Sequence, residues 1–236
     1  MIEFTPLASS SLGNCYHITD GRTELLLEAG IRLKDLRRKL NFRLSRIAGC
    51  LVSHEHADHA GAAHEVMKAG IDVYASQGTF KALGISGHRA KVIKAKQPFE
   101  VGTWTIMPFD TVHDAEEPLG FLLASNAGKV LYLTDTAYSK YVFKGLTHVL
   151  IECNYSINIL NRNIAEGLMP EAMKPRLLRS HLGLETVKDF LMANDLSQVQ
   201  EIWLLHLSAV NSDEERFKRE IQELTGKPVY VAPISR

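Results

Sequence analysis

His54-Glu55-His56-Ala57-Asp58-His59 places three imidazoles and two carboxylates within six residues. Imidazole nitrogen and carboxylate oxygen together suit Zn²⁺, Mn²⁺ or Fe. The apolar run Ile47-Ala48-Gly49-Cys50-Leu51-Val52 ahead of it reads as a buried strand, and Ala60-Gly61-Ala62-Ala63 behind it reads as the start of a helix. The cluster is therefore expected on a strand-to-helix loop, where functional groups on open sheets gather. A solvated polar loop would account for a single His-x-His pair. His-x-His-x-Asp-His after a buried strand points instead to a metal site. The donors are too dense for one metal to use from one face.

Working outward, Ile2 to Leu7 reads as a first edge strand ended by Pro6. Ser9-Ser10-Ser11-Leu12-Gly13-Asn14 reads as a turn, with Asn14 capping backbone groups. Cys15–Ile18 and Glu24–Glu28 form a hairpin around Asp20-Gly21. Ile31, Leu33, Leu36 and Leu40 recur at helical spacing, so 32–40 is an amphipathic helix with a basic outer face. Beyond the metal motif, helices are expected over 60–69, 77–83, 156–165, 171–178, 184–193 and 213–224. Strands are expected over 71–75, 91–93, 103–108, 119–125, 129–134, 146–151, 199–205 and 229–231. Alternating strands and helices without a linker or repeat give a single α/β domain, 1–236, with a two-sheet core.

The bulk numbers agree with that reading. A length of 236 residues suits one domain, and an apolar fraction of 45% is ordinary for a globular chain. No apolar run approaches membrane-spanning length, and Met1–Pro6 lacks the basic start and apolar core of a signal peptide. Cys15, Cys50 and Cys153 are odd in number and widely spaced, which argues for a reducing compartment, and a cytoplasmic location is expected. Formal net charge is zero, so the whole-chain balance does not announce a nucleic-acid binder. Local charge is less even. Arg32 to Arg46 holds seven basic residues against Asp35, and Lys81 to Lys96 holds five against none. These runs read either as solvated faces or as phosphate-tracking patches.

The His-x-His-x-Asp-His segment resembles the motif of the metallo-β-lactamase superfamily, whose members generally bind two metals in a four-layer αββα sandwich. His113 follows the strand at 103–108, Asp135 ends the strand at 129–134, and His206 ends the strand at 199–205. Each alone reads as an ordinary strand-end polar residue; together they fill the ligand slots of that pattern in order. The resemblance implies that His54, His56 and His113 hold one metal and that Asp58, His59 and His206 hold the other. Asp135 would bridge two divalent ions, Zn or Mn, sharing an activated water. Ser9 to Cys15, His113-Asp114-Ala115-Glu116-Glu117-Pro118-Leu119-Gly120-Phe121, Thr134-Asp135-Thr136, Ile151-Glu152-Cys153-Asn154 and His206-Leu207-Ser208 occur in that order. This series is similar to that of the YycJ/WalJ group of bacterial metallo-β-lactamase-fold proteins, regarded as 5′-to-3′ DNA exonucleases.

The resemblance implies a metal-dependent phosphodiesterase with DNA as substrate, and Asp58 and His181 as catalytic groups. His181, in Arg179-Ser180-His181-Leu182-Gly183, reads either as part of a capping turn or as a histidine reaching toward the scissile phosphate. The group carries a serine where this chain has Gly183. Arg179, with Lys174 and Arg176 close by, would add phosphate contacts. Asn154 and Asn211 read as substrate contacts or loop hydrogen-bonders. His17, His64, His88 and His148 fit no ligand slot. Two other readings stand beside the exonuclease. One is a small-molecule hydrolase acting on a cyclic phosphodiester or thioester. The other is a slow or inactive metal-stabilised binding protein.

Overall fold

The computed structural model describes residues 1–233. The chain divides into two compact units. The first comprises Met1–Asp110 and Ala115–Gly128; the second comprises Thr111–Asp114 and the described residues from Lys129 onward.

The first unit begins with β1 (Glu3–Ala8), β2 (Cys15–Thr19), β3 (Glu24–Leu27), α1 (Leu33–Lys39) and β4 (Ile47–Leu51). It continues with α2 (Ala57–Ala60), α3 (Ala63–Lys68), β5 (Val73–Ala75), α4 (Gln77–Leu83) and β6 (Ala90–Val92). β7 (Phe99–Val101), β8 (Trp104–Asp110) and β9 (Leu119–Ser125) complete it. β1 to β6 form one sheet in sequence order. The first three strands run antiparallel and the rest pair in parallel.

Alternation explains how this sheet is buried. Leu26, Cys50, Val52, Val73 and Ala75 meet Leu36 of α1, Ala63, Val66 and Met67 of α3, and Phe80 of α4 in one apolar cluster. The opposite-facing Ile18, Leu25, Leu27 and Leu51 are also fully buried. Because both faces are covered, β4 reads in sequence as a continuous apolar run rather than an alternating one. β7, β8 and β9 make an antiparallel meander. Trp104, fully buried, donates its indole N–H to the Thr23 carbonyl at 3.1 Å. Thr103 Oγ1 donates to Asp20 Oδ2 at 2.6 Å, so the meander is pinned to the β2–β3 turn.

The second unit holds β10 (Gly128–Leu133, whose first residue belongs to the first unit), β11 (His148–Glu152), α5 (Ile157–Ala165) and α6 (Lys174–Ser180). α7 (Leu184–Ala193), β12 (Glu201–Leu205), α8 (Glu214–Thr225) and β13 (Val229–Val231) follow. β10, β11, β12 and β13 are parallel and neighbour one another in that order. Past Lys129, His148 and Glu201 near their starts, β10, β11 and β12 are apolar up to Leu133, Ile151 and Leu205. The candidate site residues begin at the C-terminal ends, where open α/β sheets bind ligands.

Three expectations are corrected. β1 runs through Pro6 to Ala8, because on an edge strand the missing N–H removes no ladder bond. The helix expected over 60–69 starts earlier, at Ala57, and is broken. The Ala62 N–H leaves the helical ladder to donate to the Ala29 carbonyl at 2.8 Å. Asp58 and His59 therefore sit on a helical turn rather than a loop. β7 was not anticipated; at three residues it is too short to show a period, and the turn at Gly102 (φ 59°) creates it.

Trp104→Ala should lower stability by about 3–5 kcal/mol, as expected for emptying a large buried aromatic site. Chemical denaturation reads the loss; a change within about 0.5 kcal/mol would mean that the meander is not anchored through this ring.

Candidate metal centre

In the first unit, β4 delivers the chain to Ser53 and His54, and the α2 turn turns Asp58 and His59 back beneath it. Ser53 Oγ is 2.8 Å from His54 Nδ1, which orients the ring. His54 Nε2 lies 3.1 Å from His56 Nδ1, so two nitrogen donors converge. The His54 and His59 rings lie 4.2 Å apart between centroids, tilted by 38°. His59 Nε2 is 3.4 Å from Asp58 Oδ2.

The backbone around this turn is closely held. Asn14 N–H donates to the Asp58 carbonyl at 2.7 Å, Ala29 N–H to the His59 carbonyl at 2.7 Å, and Gly30 N–H to the Asn14 carbonyl at 2.9 Å. A Cβ at Gly30 would lie 1.8 Å from the Asp58 carbonyl oxygen. Asn14 also spends its side chain here. Nδ2 donates to Asp58 Oδ2 at 3.3 Å and lies 3.2 Å from His59 Nε2; Oδ1 accepts from Tyr16 Oη at 3.0 Å and Ser10 N–H at 3.2 Å. The capping role expected of Asn14 thus doubles as orientation of two candidate donors. Glu28 is fully buried and takes φ 67°, a costly backbone for a residue with a Cβ. Its Oε2 accepts from Ser53 N–H at 3.2 Å and lies 3.7 Å from His59 Nδ1.

In the second unit, the ends of β10, β11 and β12 supply Asp135, Glu152 and His206 to one place. One donor atom each from Asp135, Glu152, His181 and His206 lies within 4.8 Å of all the others. Two carboxylates and two imidazoles at that spacing fit a divalent cation that takes nitrogen and oxygen ligands. His206 Nδ1 is 2.7 Å from Asp135 Oδ1 and 3.5 Å from Glu152 Oε1. His181 Nδ1 is 2.6 Å from Glu152 Oε1. Thr134 Oγ1 donates to Asp135 Oδ1 at 2.9 Å, and Leu182 N–H donates to Glu152 Oε2 at 3.0 Å. His113 reaches the cluster from Thr111–Asp114, with Nε2 3.7 Å from Asp135 Oδ2. Its Nδ1 lies 2.8 Å from the Ser180 carbonyl, a pure acceptor. That contact puts the proton on Nδ1 and leaves Nε2 as the ligand atom.

Titration follows the packing. Burial alone would lower both His181 and His206; the charge and hydrogen bond of Glu152 raise His181, and those of Asp135 push His206 up to about 10. Burial works to raise Glu152, but the charge of His181 holds it below the usual carboxylate range. His113 goes the other way, because burial outweighs Asp135 and lowers it. Without a metal, protons neutralise this carboxylate cluster, and a bound cation would displace them.

Each unit gathers part of the expected set: the candidate ligands His54, His56, Asp58 and His59 in the first, and the candidate ligands His113, Asp135 and His206, with His181 expected as a catalytic group, in the second. Glu152 was not expected as a site residue. Its sequence signal is the one that marked Asp135, an acid closing an otherwise apolar strand. Asn154 Nδ2 donates to the His206 carbonyl at 2.9 Å and so braces a residue at φ 51°. Asn211 is buried, with Oδ1 accepting from Asn163 Nδ2 at 2.9 Å and Nδ2 donating to Met169 Sδ at 3.4 Å. Arg179 is exposed and folds back on the Pro175 carbonyl, whereas Arg176 pairs with Asp114. His17 pairs with Glu24, His148 contacts Thr147, and His64 and His88 are exposed.

A family model described as a beta-lactamase superfamily domain matches residues 23–154. A Bacillus anthracis protein named exodeoxyribonuclease YycJ is 28% identical over 242 residues, covering 94% of this chain and 89% of that protein. A Streptococcus pneumoniae protein named exodeoxyribonuclease WalJ is 29% identical over 230 residues, covering 90% and 84%. Among solved structures, the metallo-β-lactamase fold protein YhfI from Bacillus subtilis superposes with a TM-score of 0.73 at 13% identity, covering 100% of this chain and 98% of that one. Zn²⁺-bound PqqB from Methylobacterium extorquens gives 0.71 at 13% identity, covering 99% of each.

Two outcomes are expected. Gly30→Ala should destabilise the chain by about 1–3 kcal/mol through overpacking and lower its metal content; unchanged urea midpoint and metal analysis would count against the Gly30–Asp58 contact as a constraint. Glu152→Gln should let burial prevail and drop the His181 imidazole below its ordinary pKa, read as the titration midpoint of its ring protons by NMR in metal-free protein. A midpoint that stays high would mean another group holds the proton.

Proposed function

This chain belongs to the β-lactamase superfamily and has the metallo-β-lactamase fold, and from that premise we propose that it is a dinuclear metal-dependent phosphodiesterase that degrades DNA from the 5′ end. The observation that carries the proposal is the likeness over 94% of the chain to a protein named as an exodeoxyribonuclease, a span that includes both donor clusters. The superfamily fold alone leaves the reaction open. The single-domain reading of 1–236 is part of the same proposal.

By the superfamily pattern, His54, His56 and His113 would hold one divalent ion, Asp58, His59 and His206 the other, and Asp135 would bridge them. Zn or Mn bound there supplies Lewis acidity for water activation and for charge on the scissile phosphate. The chain's own residues do the positioning. Ser53 and Asn14 aim His54, Asp58 and His59. Thr134 aims Asp135, and the Ser180 carbonyl selects the tautomer of His113.

His181 has a different task. Its Nδ1 is tied to Glu152 at 2.6 Å, and in the metal-free cluster that carboxylate works against burial to raise the imidazole's hold on a proton. That arrangement suits binding the phosphate or protonating the leaving oxygen through Nε2. The Glu152 carboxylate fixes the ring and supports its positive charge, as the carboxylate does for the histidine of a hydrolase triad. Zero net charge favours the second reading, a small-molecule phosphodiesterase or thioesterase.

DNA labelled at the 5′ or the 3′ end, single- and double-stranded, with added Mn²⁺ or Zn²⁺, tests the proposal. Short 5′-labelled products, absent for His59→Ala, are expected. Turnover of bis(p-nitrophenyl) phosphate with every DNA left intact would transfer the assignment to a small substrate.

A further inference from the structure

We infer that the exposed Phe42 and the basic residues around it form a seat for single-stranded DNA, with a base stacked on the ring and the backbone phosphates on Arg37, Arg38, Lys39 and Arg43. The inference deepens the exonuclease reading and rests on it.

The local backbone raises the question. α1 ends in a complete left-handed cap: Asn41 N–H donates to the Arg38 carbonyl at 3.0 Å and Phe42 N–H to the Arg37 carbonyl at 2.7 Å. Asn41 takes φ 49° and Phe42 takes φ 60°. Asparagine accepts that conformation readily; for a bulky aromatic it is an outlier that costs free energy. Such caps frequently pack the residue in Phe42's place against an apolar side chain three or four positions before the helix's C-cap. Here those positions are Arg37 and the fully buried Leu36, and Phe42 is 75% exposed. Helix capping thus leaves most of the phenyl ring in solvent.

The surroundings say what would cover it. Residues 36–46 contain no acid, and Arg37, Arg38, Lys39 and Arg43 are all exposed. Beside Phe42 a groove of about 460 Å³ is lined by Lys39, Arg43 and Arg46 and, across from them, by Thr5 and Thr19. The groove's Glu24 is occupied by Arg46 and His17, and Glu3 is its other acid. An aromatic platform flanked by cations is the arrangement that takes single strands without sequence preference. Duplex DNA keeps its bases stacked on one another and has none to offer the ring. α1 begins three residues after Gly30, whose amide bonds to Asn14 beside Asp58 and His59. The basic helix thus starts at the metal-motif turn and spans about 10 Å at 1.5 Å per residue, a length over which phosphates can be tracked.

Anisotropy of fluorescent oligothymidylate with the full chain in EDTA, over a salt series, tests this. Phe42→Ala should weaken binding about tenfold to hundredfold, and Phe42→Trp should restore it. Arg37→Ala or Arg43→Ala should reduce the slope of log affinity against log salt by about 0.7 each. Phe42→Gly should unfold at a higher temperature than the wild type while binding more weakly, which a purely structural phenylalanine would not do. Equal binding by wild type and Phe42→Ala, or an equal loss for a blunt duplex, would overturn the seat while 5′-end degradation with Mn²⁺ left the exonuclease reading standing. A wild-type chain that binds no single strand overturns the seat too, and one that also degrades no DNA takes the exonuclease reading with it.

Discussion

Buried charge is the constraint on which this protein is built. Glu28, His54, His59, Asp135, Glu152 and His206 lie almost wholly out of water. An ionised group in such a place is costly unless it is paired and hydrogen-bonded. Each unit therefore carries a shell of small polar donors and acceptors whose positions are otherwise unexplained. Ser53, Asn14 and Tyr16 serve the first cluster; Thr134, the Leu182 amide and the Ser180 carbonyl serve the second. A divalent cation would fit the same arrangement, because its charge would offset carboxylates that protons otherwise neutralise.

That requirement explains several features that look costly in isolation. The left-handed backbone of Glu28 and His206, and the absence of a Cβ at Gly30, hold side chains or carbonyls where an ordinary strand exit would not put them. Strain of this kind persists only where surrounding contacts over-determine it. Asn154 shows the pattern in miniature. Offered by sequence as either a substrate contact or a loop brace, it supports the His206 carbonyl. Asn211 likewise spends its amide on Asn163 and Met169.

The donors divide by how they are read. His54, His56, Asp58 and His59 announce themselves because they crowd into one turn of chain. His113, Asp135 and His206 became candidates only as a set, each a lone polar residue at a strand end. Glu152 carries the same signature as Asp135, an acid closing an apolar strand, but no slot in the superfamily pattern corresponds to it. Its role depends on His181, which lies 29 residues further on and meets it through a 2.6 Å contact.

Sequence alone determined the alternation of strands and helices, the metal motif and the apolar strands that carry it. Those features are local: side-chain period, turn residues and donor density act within a few positions of each other. The tertiary structure decided what depends on distant groups. It broke the helix after the motif, because the Ala62 amide finds the Ala29 carbonyl. It paired His181 with Glu152, and it set the protonation of His206 through Asp135. It also left Phe42 in solvent just beyond α1, where its neighbours in sequence gave no reason to expect a left-handed phenylalanine. Long-range hydrogen bonds and burial choose among the local options the sequence offers, and no periodicity along the chain records that choice.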